Sequence, residues 1–280
     1  MSIVTQENFF MIKSSEKEKT PFIISGPCSA ESEEQVIATA IELAKEKRVN
    51  ALRAGIWKPR TKPGGFEGAG TKGLAWMAQA KKQTGLPIAV EVATNKHVED
   101  SLHFGVDILW VGARTTVNPF SVQEIADAVK GTDSTVLIKN PINPDVNLWA
   151  GAVERFMKAG ISKIGLIHRG FSSYGKSEFR NVPLWQIPIE LKRLFPELPM
   201  LCDPSHICGN TTLIQSVVQK SIDLDYDGLI IESHINPKEA WTDAAQQVIP
   251  AQLTTLLDNV IWKRSYADEE YFRKDLDNLR

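Results

Sequence analysis

Nearly every short apolar segment of this chain contains, or is followed at once by, a side chain that can carry charge or bind a metal. In chain order these residues are Cys28; Arg53, Lys58, Arg60 and Thr61; Glu91; Arg114; Lys139; His168 and Arg169; Asp203 and His206; Glu232 and His234. A charge beside buried apolar residues must be paired, hydrated or used for binding. One such residue is weak evidence for a site, but their recurrence along the chain indicates a shared one.

Six of these residues are cations, although the whole chain carries a formal net charge of −2. They are Arg53, Lys58, Arg60, Arg114, Lys139 and Arg169. Gathered at one place they would repel one another unless anions were bound between them. Arg suits bidentate contacts with phosphate or carboxylate, and Lys supplies a compact positive charge. The set predicts binding of two anionic groups or two phosphorylated substrates. The alternative, a nucleic-acid surface, would interleave stacking aromatic residues with the cations, a pattern this chain does not show.

A second set combines one thiol, one imidazole and two carboxylates, on Cys28, His206, Glu232 and Asp243. Such mixed nitrogen, sulfur and oxygen ligands suit a divalent first-row metal. The residues are far apart in the chain, so their spacing alone proves nothing. The alternatives are that Cys28 is a packed thiol and that His206 is a hydrogen-bonded residue of the turn 203–206.

The elements that must position these side chains alternate between β-rich apolar runs and amphipathic stretches, which indicates a parallel sheet covered by helices. Predicted strands are Phe22–Gly26, Ala51–Ile56, Ile88–Val92, Ile108–Gly112, Thr135–Lys139, Lys163–Ile167, Met200–Asp203 and Gly228–Glu232. Predicted helices are Glu33–Arg48, Thr71–Thr84, Lys96–Phe104, Ser121–Lys130, Trp149–Ala159, Leu184–Leu194, Thr211–Ser221 and Gln252–Asn259.

Eight β-then-α units predict an α/β fold closed as a (β/α)8 TIM barrel, not an open doubly wound sheet. The Gly-x-Gly-x-x-Gly turn expected after a dinucleotide-binding first strand is missing. Active sites of such barrels lie at the carboxyl-terminal strand ends, where the charged residues are predicted to converge. Pro188 predicts a break or kink in the sixth helical segment.

Composition is that of an ordinary globular protein, with 42% hydrophobic and 24% charged residues among 280. The slightly negative net charge argues against nucleic-acid or acidic-membrane partners. No segment has the order of a signal peptide, and no apolar run approaches the ~20 residues of a membrane helix. With three cysteines, which cannot all pair, we expect a cytoplasmic protein with reduced thiols.

Seven stretches resemble those of 3-deoxy-D-arabino-heptulosonate-7-phosphate (DAHP) synthases, which open the pathway to the aromatic amino acids. They are GPCSAES at 26–32, LRAGIWKPRT at 52–61, GART at 112–115, IKNPINPD at 138–145, HRGF at 168–171, DPSH at 203–206 and IIESHINPKEAWTDAAQQ at 230–247. KPRT at 58–61 discriminates best, because the related 3-deoxy-manno-octulosonate-8-phosphate synthases carry a Lys-Ala-Asn-Arg-type stretch there.

The resemblance implies condensation of phosphoenolpyruvate with erythrose 4-phosphate, with a divalent metal (Mn, Co, Fe, Zn or similar) as cofactor. It implies that Cys28, His206, Glu232 and Asp243 are metal ligands. It assigns phosphoenolpyruvate to Arg53, Lys58, Arg114, Lys139 and Arg169, and the aldose phosphate to Arg60 and Thr61. The candidate catalytic residues are Lys58, His168 and Cys28. The resemblance implies that His168 lies beside the reacting carbons and assists proton transfer. The chemistry of the condensation leaves two roles open for Lys58, which are protonation of the developing alkoxide and positioning of the carboxylate.

The resemblance covers residues 22–260, so we expect an extension at 1–20, a catalytic barrel at 21–260 and a charged helical tail at 261–280. The tail resembles the start of a chorismate mutase domain, which some relatives fuse after the barrel, and the alternative is a solvated terminal helix. Relatives are usually dimers or tetramers, which implies a homo-oligomer. Two other functions stay open: a related octulosonate-8-phosphate synthase, and a non-catalytic barrel that binds phosphorylated metabolites.

Overall fold

Eight parallel strands form a closed barrel in which each strand pairs with the next in the chain and the eighth pairs with the first. The structure is a computed structural model that describes residues 21–58 and 64–262. The strands are β1 Phe22–Gly26, β2 Val49–Ala54, β3 Ile88–Val92, β4 Ile108–Val111, β5 Thr135–Lys139, β6 Ile164–His168, β7 Met200–Cys202 and β8 Gly228–Glu232. The predicted (β/α)8 barrel is confirmed.

Helices follow the strands and cover the outside of the barrel. They are α1 Glu33–Ala44, α2 Thr71–Thr84, α3 Asn95–His103, α4 Ala113–Thr116, α5 Pro119–Val129, α6 Val146–Lys158, α7 Gln186–Leu194, α8 Pro204–Cys208, α9 Ile214–Asp223 and α10 Pro250–Asp258. Side chains of Ser32, Asn118 and Asp145 accept hydrogen bonds from the first-turn N–H groups of α1, α5 and α6. Such caps satisfy N–H groups that have no partner within the helix.

Strand side chains alternate between two apolar layers, because successive residues of a strand face opposite sides of the sheet. Between strands and helices lies the larger layer, which includes Leu52, Val90, Leu166 and Cys202. The barrel axis is filled by Phe22, Ile24, Ala51, Ala89, Ile108, Trp110, Leu137, Ile167, Leu201 and Ile230. Both faces of each strand are therefore buried, which explains the near-continuous apolar runs.

Three of the observed helices, α4, α7 and α8, differ from the prediction. Pro188 was expected to break the sixth helical segment, but α7 begins at Gln186 and places Pro188 in its first turn. A first-turn residue has no intrahelical acceptor for its N–H, so proline fits there without a kink. The short helices α4 and α8, which were not predicted, follow β4 and β7 directly.

Several predictions fall on residues that the structure does not describe. The extension at 1–20, Arg60 and Thr61, and residues 263–280 of the tail lie outside the described residues. Among the described residues, no helix is both long and apolar enough to cross a membrane.

Candidate active site

On six strands, a polar residue lies two positions after an apolar residue that faces the barrel axis. Because alternate residues of a strand face the same side, these polar side chains also face the axis, at one end of the barrel. Ala51, Ala89, Leu137, Ile167, Leu201 and Ile230 line the axis. Two residues further along are Arg53, Glu91, Lys139, Arg169, Asp203 and Glu232. Because all eight strands are parallel, their carboxyl ends share one mouth. The structure therefore brings these predicted site residues together.

Trp110 forms the floor of this mouth. The guanidinium carbon of Arg53 lies 4.9 Å from the centre of the Trp110 ring, and Lys139 Nζ lies 5.7 Å from it. The indole Nε1–H donates a hydrogen bond of 3.0 Å to Glu91 Oε2. An aromatic face attracts cations, so the ring supports two of the predicted anion-binding side chains. Sequence analysis did not assign Trp110, and its position inside an apolar run gave no signal.

Arg53 is almost fully buried, with 1% of its surface exposed. Its Nη2 atom lies 3.3 Å from the Cys28 carbonyl oxygen and 3.2 Å from Glu232 Oε1. Its Nε and Nη1 atoms are buried without a hydrogen-bond partner. A buried cation with unused donors is costly unless a ligand completes its hydrogen bonds. Arg53 is thus prepared for an anion.

Asp203 connects the predicted anion site to the predicted metal site. Its Oδ2 atom accepts a hydrogen bond of 2.7 Å from Lys139 Nζ, and the same atom lies 2.8 Å from His206 Nδ1. It also caps α8, because its side chain accepts the His206 N–H. Asp at the cap and Pro204 at the first position are a strong local signal for a helix start, and this start aims His206 inward. Lys139 and His206 hold the pKa of the buried Asp203 well below its usual range, although burial alone would raise it.

The four predicted metal ligands meet in two contacting pairs. Cys28 Sγ lies 3.4 Å from Asp243 Oδ2, and His206 Nε2 lies 3.6 Å from Glu232 Oε1. Cys28 also interacts electrostatically with Glu232, and His206 with Asp243. In the part of the chain that the structure describes, no three His, Cys, Asp or Glu side chains are arranged as a ready-made metal cage. Metal binding by these residues therefore stays a prediction.

Burial and neighbouring charges decide the ionisation of this set. Burial and the nearby Glu232 carboxylate raise the pKa of the Cys28 thiol to about 12, against the opposing effect of Lys58. Burial would raise the pKa of Asp243 as well, but the Arg180 guanidinium lowers it to about 2. Without a further cation, Cys28 is therefore a thiol beside an ionised Asp243.

Lys58, four residues after β2, lies against Cys28. Its Nζ atom lies 3.1 Å from both the Cys28 carbonyl oxygen and Cys28 Sγ. Burial opposes its charge, yet Cys28, Glu232 and Glu91 outweigh that effect and raise its pKa. Lys58 therefore stays protonated and holds a proton at the mouth of the barrel.

Arg169 and Arg114 are a second pair of neighbouring cations. Arg169 Nη1 donates a hydrogen bond of 2.7 Å to Asn181 Oδ1. Burial and the nearby Arg180 and Arg114 guanidinium groups together lower the pKa of Arg169 to about 10, against the opposing effect of Asp203. Arg114 is exposed in α4. Their assignment to phosphoenolpyruvate stays a prediction.

His168 does not join this group. It lies two residues after Leu166, whose side chain belongs to the outer layer. Because alternate residues of a strand face the same side, the His168 ring also points away from the axis, and it is fully buried. The ring Nε2 lies 2.6 Å from the Pro183 carbonyl oxygen and Nδ1 lies 3.0 Å from the Tyr226 hydroxyl. Burial lowers its pKa to about 3. This outward position does not support the predicted proton transfer at the reacting carbons.

Three residues at the mouth escaped sequence analysis as site residues, namely Arg180, Gln246 and Gln247. Arg180 Nη1 lies 2.9 Å from Asp243 Oδ1 and 2.7 Å from Gln246 Oε1. Both glutamines are buried, although they lie in the loop that follows β8. The only signal was their place in the stretch at 230–247 that carries the resemblance.

Comparison with known proteins agrees with this geometry. The DAHP synthetase I family matches residues 6–268. A phospho-2-dehydro-3-deoxyheptonate aldolase of Thermotoga maritima is 31% identical over 226 residues, which is 81% of this chain but only 64% of the relative. A 2-dehydro-3-deoxyphosphooctonate aldolase of Helicobacter pylori is 26% identical over 90% of this chain and 98% of its own.

Solved structures give the same result. A crystal structure of the Thermotoga maritima DAHP synthase superposes with a TM-score of 0.75 at 27% identity, covering 92% of this chain and 70% of that one. A truncated form of the same synthase superposes with a TM-score of 0.72 at 25% identity, covering 92% and 87%. By the extent of the family match and the barrel with its charged mouth, this chain belongs to the DAHP synthetase I family.

Proposed function

We propose that this chain condenses phosphoenolpyruvate with erythrose 4-phosphate to give DAHP and inorganic phosphate, with the help of a divalent metal. The observation that carries the proposal is the shared barrel mouth. Arg53, a buried cation with two unused donors, lies there beside a thiol, an imidazole and two carboxylates. The positive charge suits two anionic substrates, and the sulfur, nitrogen and oxygen atoms suit a divalent metal.

Phosphoenolpyruvate carries a carboxylate and a phosphate, and the mouth offers two pairs of cations for them. Arg53 and Lys139 lie over Trp110. Arg114 lies close enough to Arg169 to lower the pKa of Arg169. Arginine forks bind such groups with two parallel hydrogen bonds. The enol would be held with its reacting carbons between the two pairs of cations.

The four proposed ligands suit a divalent metal. Glu232 Oε1 is buried and accepts no hydrogen bond, and it forms an ion pair with Arg53 Nη2 at 3.2 Å. His206 Nδ1 is occupied by Asp203, which leaves Nε2 facing Glu232. A carboxylate behind the ligating imidazole is a common support in metal sites. Cys28, His206, Glu232 and Asp243 would hold the ion, which when bound supplies a Lewis acid that polarises the aldehyde.

The reaction joins C3 of the enol to the aldehyde carbon, after which water adds at C2 and phosphate leaves from the resulting hemiketal. The new alkoxide needs a proton. Lys58 is a suitable donor, because it is protonated and lies at the mouth against Cys28. Arg60 and Thr61, which resemble the aldose-phosphate site of the family, follow it by two and three residues.

The second candidate is an octulosonate-8-phosphate synthase, which the Helicobacter pylori relative favours by its name and its 98% coverage. The same mouth would serve that reaction, with arabinose 5-phosphate in place of the four-carbon sugar. The KPRT stretch at 58–61 resembles the DAHP enzymes and argues for the shorter sugar.

Substrate preference is tested by measuring phosphate release from phosphoenolpyruvate with erythrose 4-phosphate or with arabinose 5-phosphate. We expect the four-carbon sugar to give the higher kcat/KM, and preference for arabinose 5-phosphate would overturn the choice. No release with either sugar would favour a non-catalytic binding protein.

The proposed metal site is tested by Cys28→Ala. This variant should lose metal-dependent turnover, while its circular dichroism spectrum should show that the barrel is still folded. Full activity of the variant after metal stripping would contradict the proposed metal site.

A further inference from the structure

We propose that Gln246 and Gln247 are positioning residues that orient three of the four metal ligands through their side-chain amides. The inference rests on the proposed metal site and adds the residues that shape it. Both side chains are buried, with 0% and 2% of their surface exposed, in the loop after β8 that also carries Asp243.

Gln246 links the two carboxylates of the site. Its Nε2 donates a hydrogen bond of 2.7 Å to Glu232 Oε2. Its Oε1 accepts one of 2.7 Å from Arg180 Nη1, and the same Nη1 lies 2.9 Å from Asp243 Oδ1. Occupation of Oε2 leaves the other Glu232 oxygen, Oε1, between His206 Nε2 at 3.6 Å and Arg53 Nη2 at 3.2 Å. Gln246 thereby decides which Glu232 oxygen is available to a cation.

Gln247 joins the loop of Cys28 to the loop of Asp243. Its Oε1 accepts a hydrogen bond of 2.9 Å from the Cys28 backbone N–H. Its Nε2 donates one of 2.8 Å to the carbonyl oxygen of Thr242, the residue before Asp243. The first of these contacts spans 219 positions of the chain, and the second spans five. They bring Cys28 Sγ and Asp243 Oδ2 to their distance of 3.4 Å.

Asp243 needs such support because its backbone is strained. Its φ of 47° and ψ of 38° are in the left-handed region, which a residue with a side chain enters at a cost of about 1–3 kcal/mol unless its surroundings enforce it. Gln247 holds the preceding carbonyl, and Arg180 holds the Asp243 side chain. The strained conformation directs the carboxylate to Cys28.

The amide group suits both positions because it donates and accepts at once. Gln246 must donate to a carboxylate and accept from a guanidinium, and Gln247 must accept from an N–H and donate to a carbonyl. Neither a carboxylate nor an apolar side chain of equal length can do both. Groups that orient metal ligands in this way typically change metal affinity by about 10- to 100-fold.

The test titrates the metal-stripped full chain with Co²⁺ and follows the thiolate-to-cobalt absorption, with a chelator in competition to obtain the affinity. Gln246→Met and Gln247→Met should each bind Co²⁺ about 10- to 100-fold more weakly than wild type. Their circular dichroism should be unchanged. The matched control is Gln219→Met on the outer helix α9. It removes the side-chain hydrogen bonds of Gln219 to Asp223 and to the backbone of Ile261, and it should bind Co²⁺ as the wild type does.

The outcomes separate the two proposals. If the wild type shows no absorption that Cys28→Ala removes, the metal site fails and this inference fails with it. If that absorption is present but both glutamine variants bind Co²⁺ with wild-type affinity, only the positioning role is overturned. A merely structural role would lower thermal stability without metal and leave the cobalt affinity unchanged.

A further variant, Arg180→Met, tests the positioning role even if the glutamine variants do not fold. Arg180→Met removes the bonds to Gln246 and Asp243 from the exposed side of the loop, where its side chain is 46% exposed. It should fold and bind Co²⁺ more weakly than the wild type. Wild-type affinity in this variant would contradict the proposed link from Arg180 through Gln246 to Glu232.

Discussion

At the scale of single residues, burial of charge is the feature that distinguishes this barrel mouth. Arg53 has its guanidinium over Trp110, one contact to the Glu232 carboxylate, and two nitrogens without a partner. A residue kept only for packing would not be charged, because apolar side chains fill such space at lower cost. The proposed binding of an anion would explain the charge.

Arg53→Met should weaken phosphoenolpyruvate binding by about 10- to 100-fold, since a hydrogen bond to a charged group contributes about 1.5–3 kcal/mol. Methionine preserves the apolar contact with Trp110 and removes the donors. Isothermal titration of phosphoenolpyruvate measures the change. Arg48→Met is the control, because Arg48 pairs with Glu46 and Asp258 outside the site and its loss should not alter affinity. Equal affinity in the Arg53 variant would contradict the anion site.

At the scale of elements, the close approach of β1 and β2 sets the distance between the two parts of the site. Gly26, the last residue of β1, has a φ of 152°, and a Cβ there would lie 2.1 Å from the Arg53 carbonyl oxygen. Only glycine lets the strands meet at this point. The same contact places Cys28 beside Arg53 and Lys58.

Gly26→Ala should therefore lower the free energy of unfolding by more than about 3 kcal/mol, because backbone strain adds to a collision with backbone atoms. Gly151→Ala is the matched control. Gly151 lies within α6, where an added Cβ meets nothing within 4 Å, so alanine should stabilise the protein by about 0.5–1 kcal/mol. Urea unfolding measures both. A Gly26→Ala protein as stable as wild type would show that the strands can separate freely.

At the scale of the whole molecule, the barrel separates two kinds of polar group. Charged groups point into the mouth, where ligands can pair with them. His168 lies in the outer layer among Phe171, Trp185 and Tyr226, where only a neutral ring fits. Its Nε2–H donates to the Pro183 carbonyl, so Nδ1 accepts from the Tyr226 hydroxyl.

This burial predicts a loss of stability in acid. The folded pKa of His168 is about 3 against an ordinary value of 6.5, so the unfolded chain binds the proton more readily. The stabilisation is complete above pH 6.5 and is lost as the pH falls from 6.5 towards 3, by up to about 1.4 kcal/mol per pH unit. Urea unfolding at pH 7 and pH 4.5 should show a smaller loss for His168→Gln than for wild type. The exposed His103→Gln serves as control and should lose as much as wild type. Equal losses in all three proteins would contradict the account of His168.

The sequence by itself determined the fold class and the convergence of the strand-end charges, because both depend on local periodicity. Apolar runs separated by amphipathic stretches specified eight β/α units, and parallel strands bring their carboxyl ends to one mouth. Arg53, Lys139 and Glu232 could therefore be predicted as neighbours without knowledge of any distance.

Only the tertiary structure decided which strand-end side chains face the axis and which loops meet. His168 and Arg169 are adjacent in sequence, yet one points outward and the other into the mouth, because a shift of one residue reverses a strand side chain. The contacts of Trp110, Arg180, Gln246 and Gln247 join segments that are distant in the chain. Local sequence does not encode such contacts, since they depend on how the closed barrel brings its loops together.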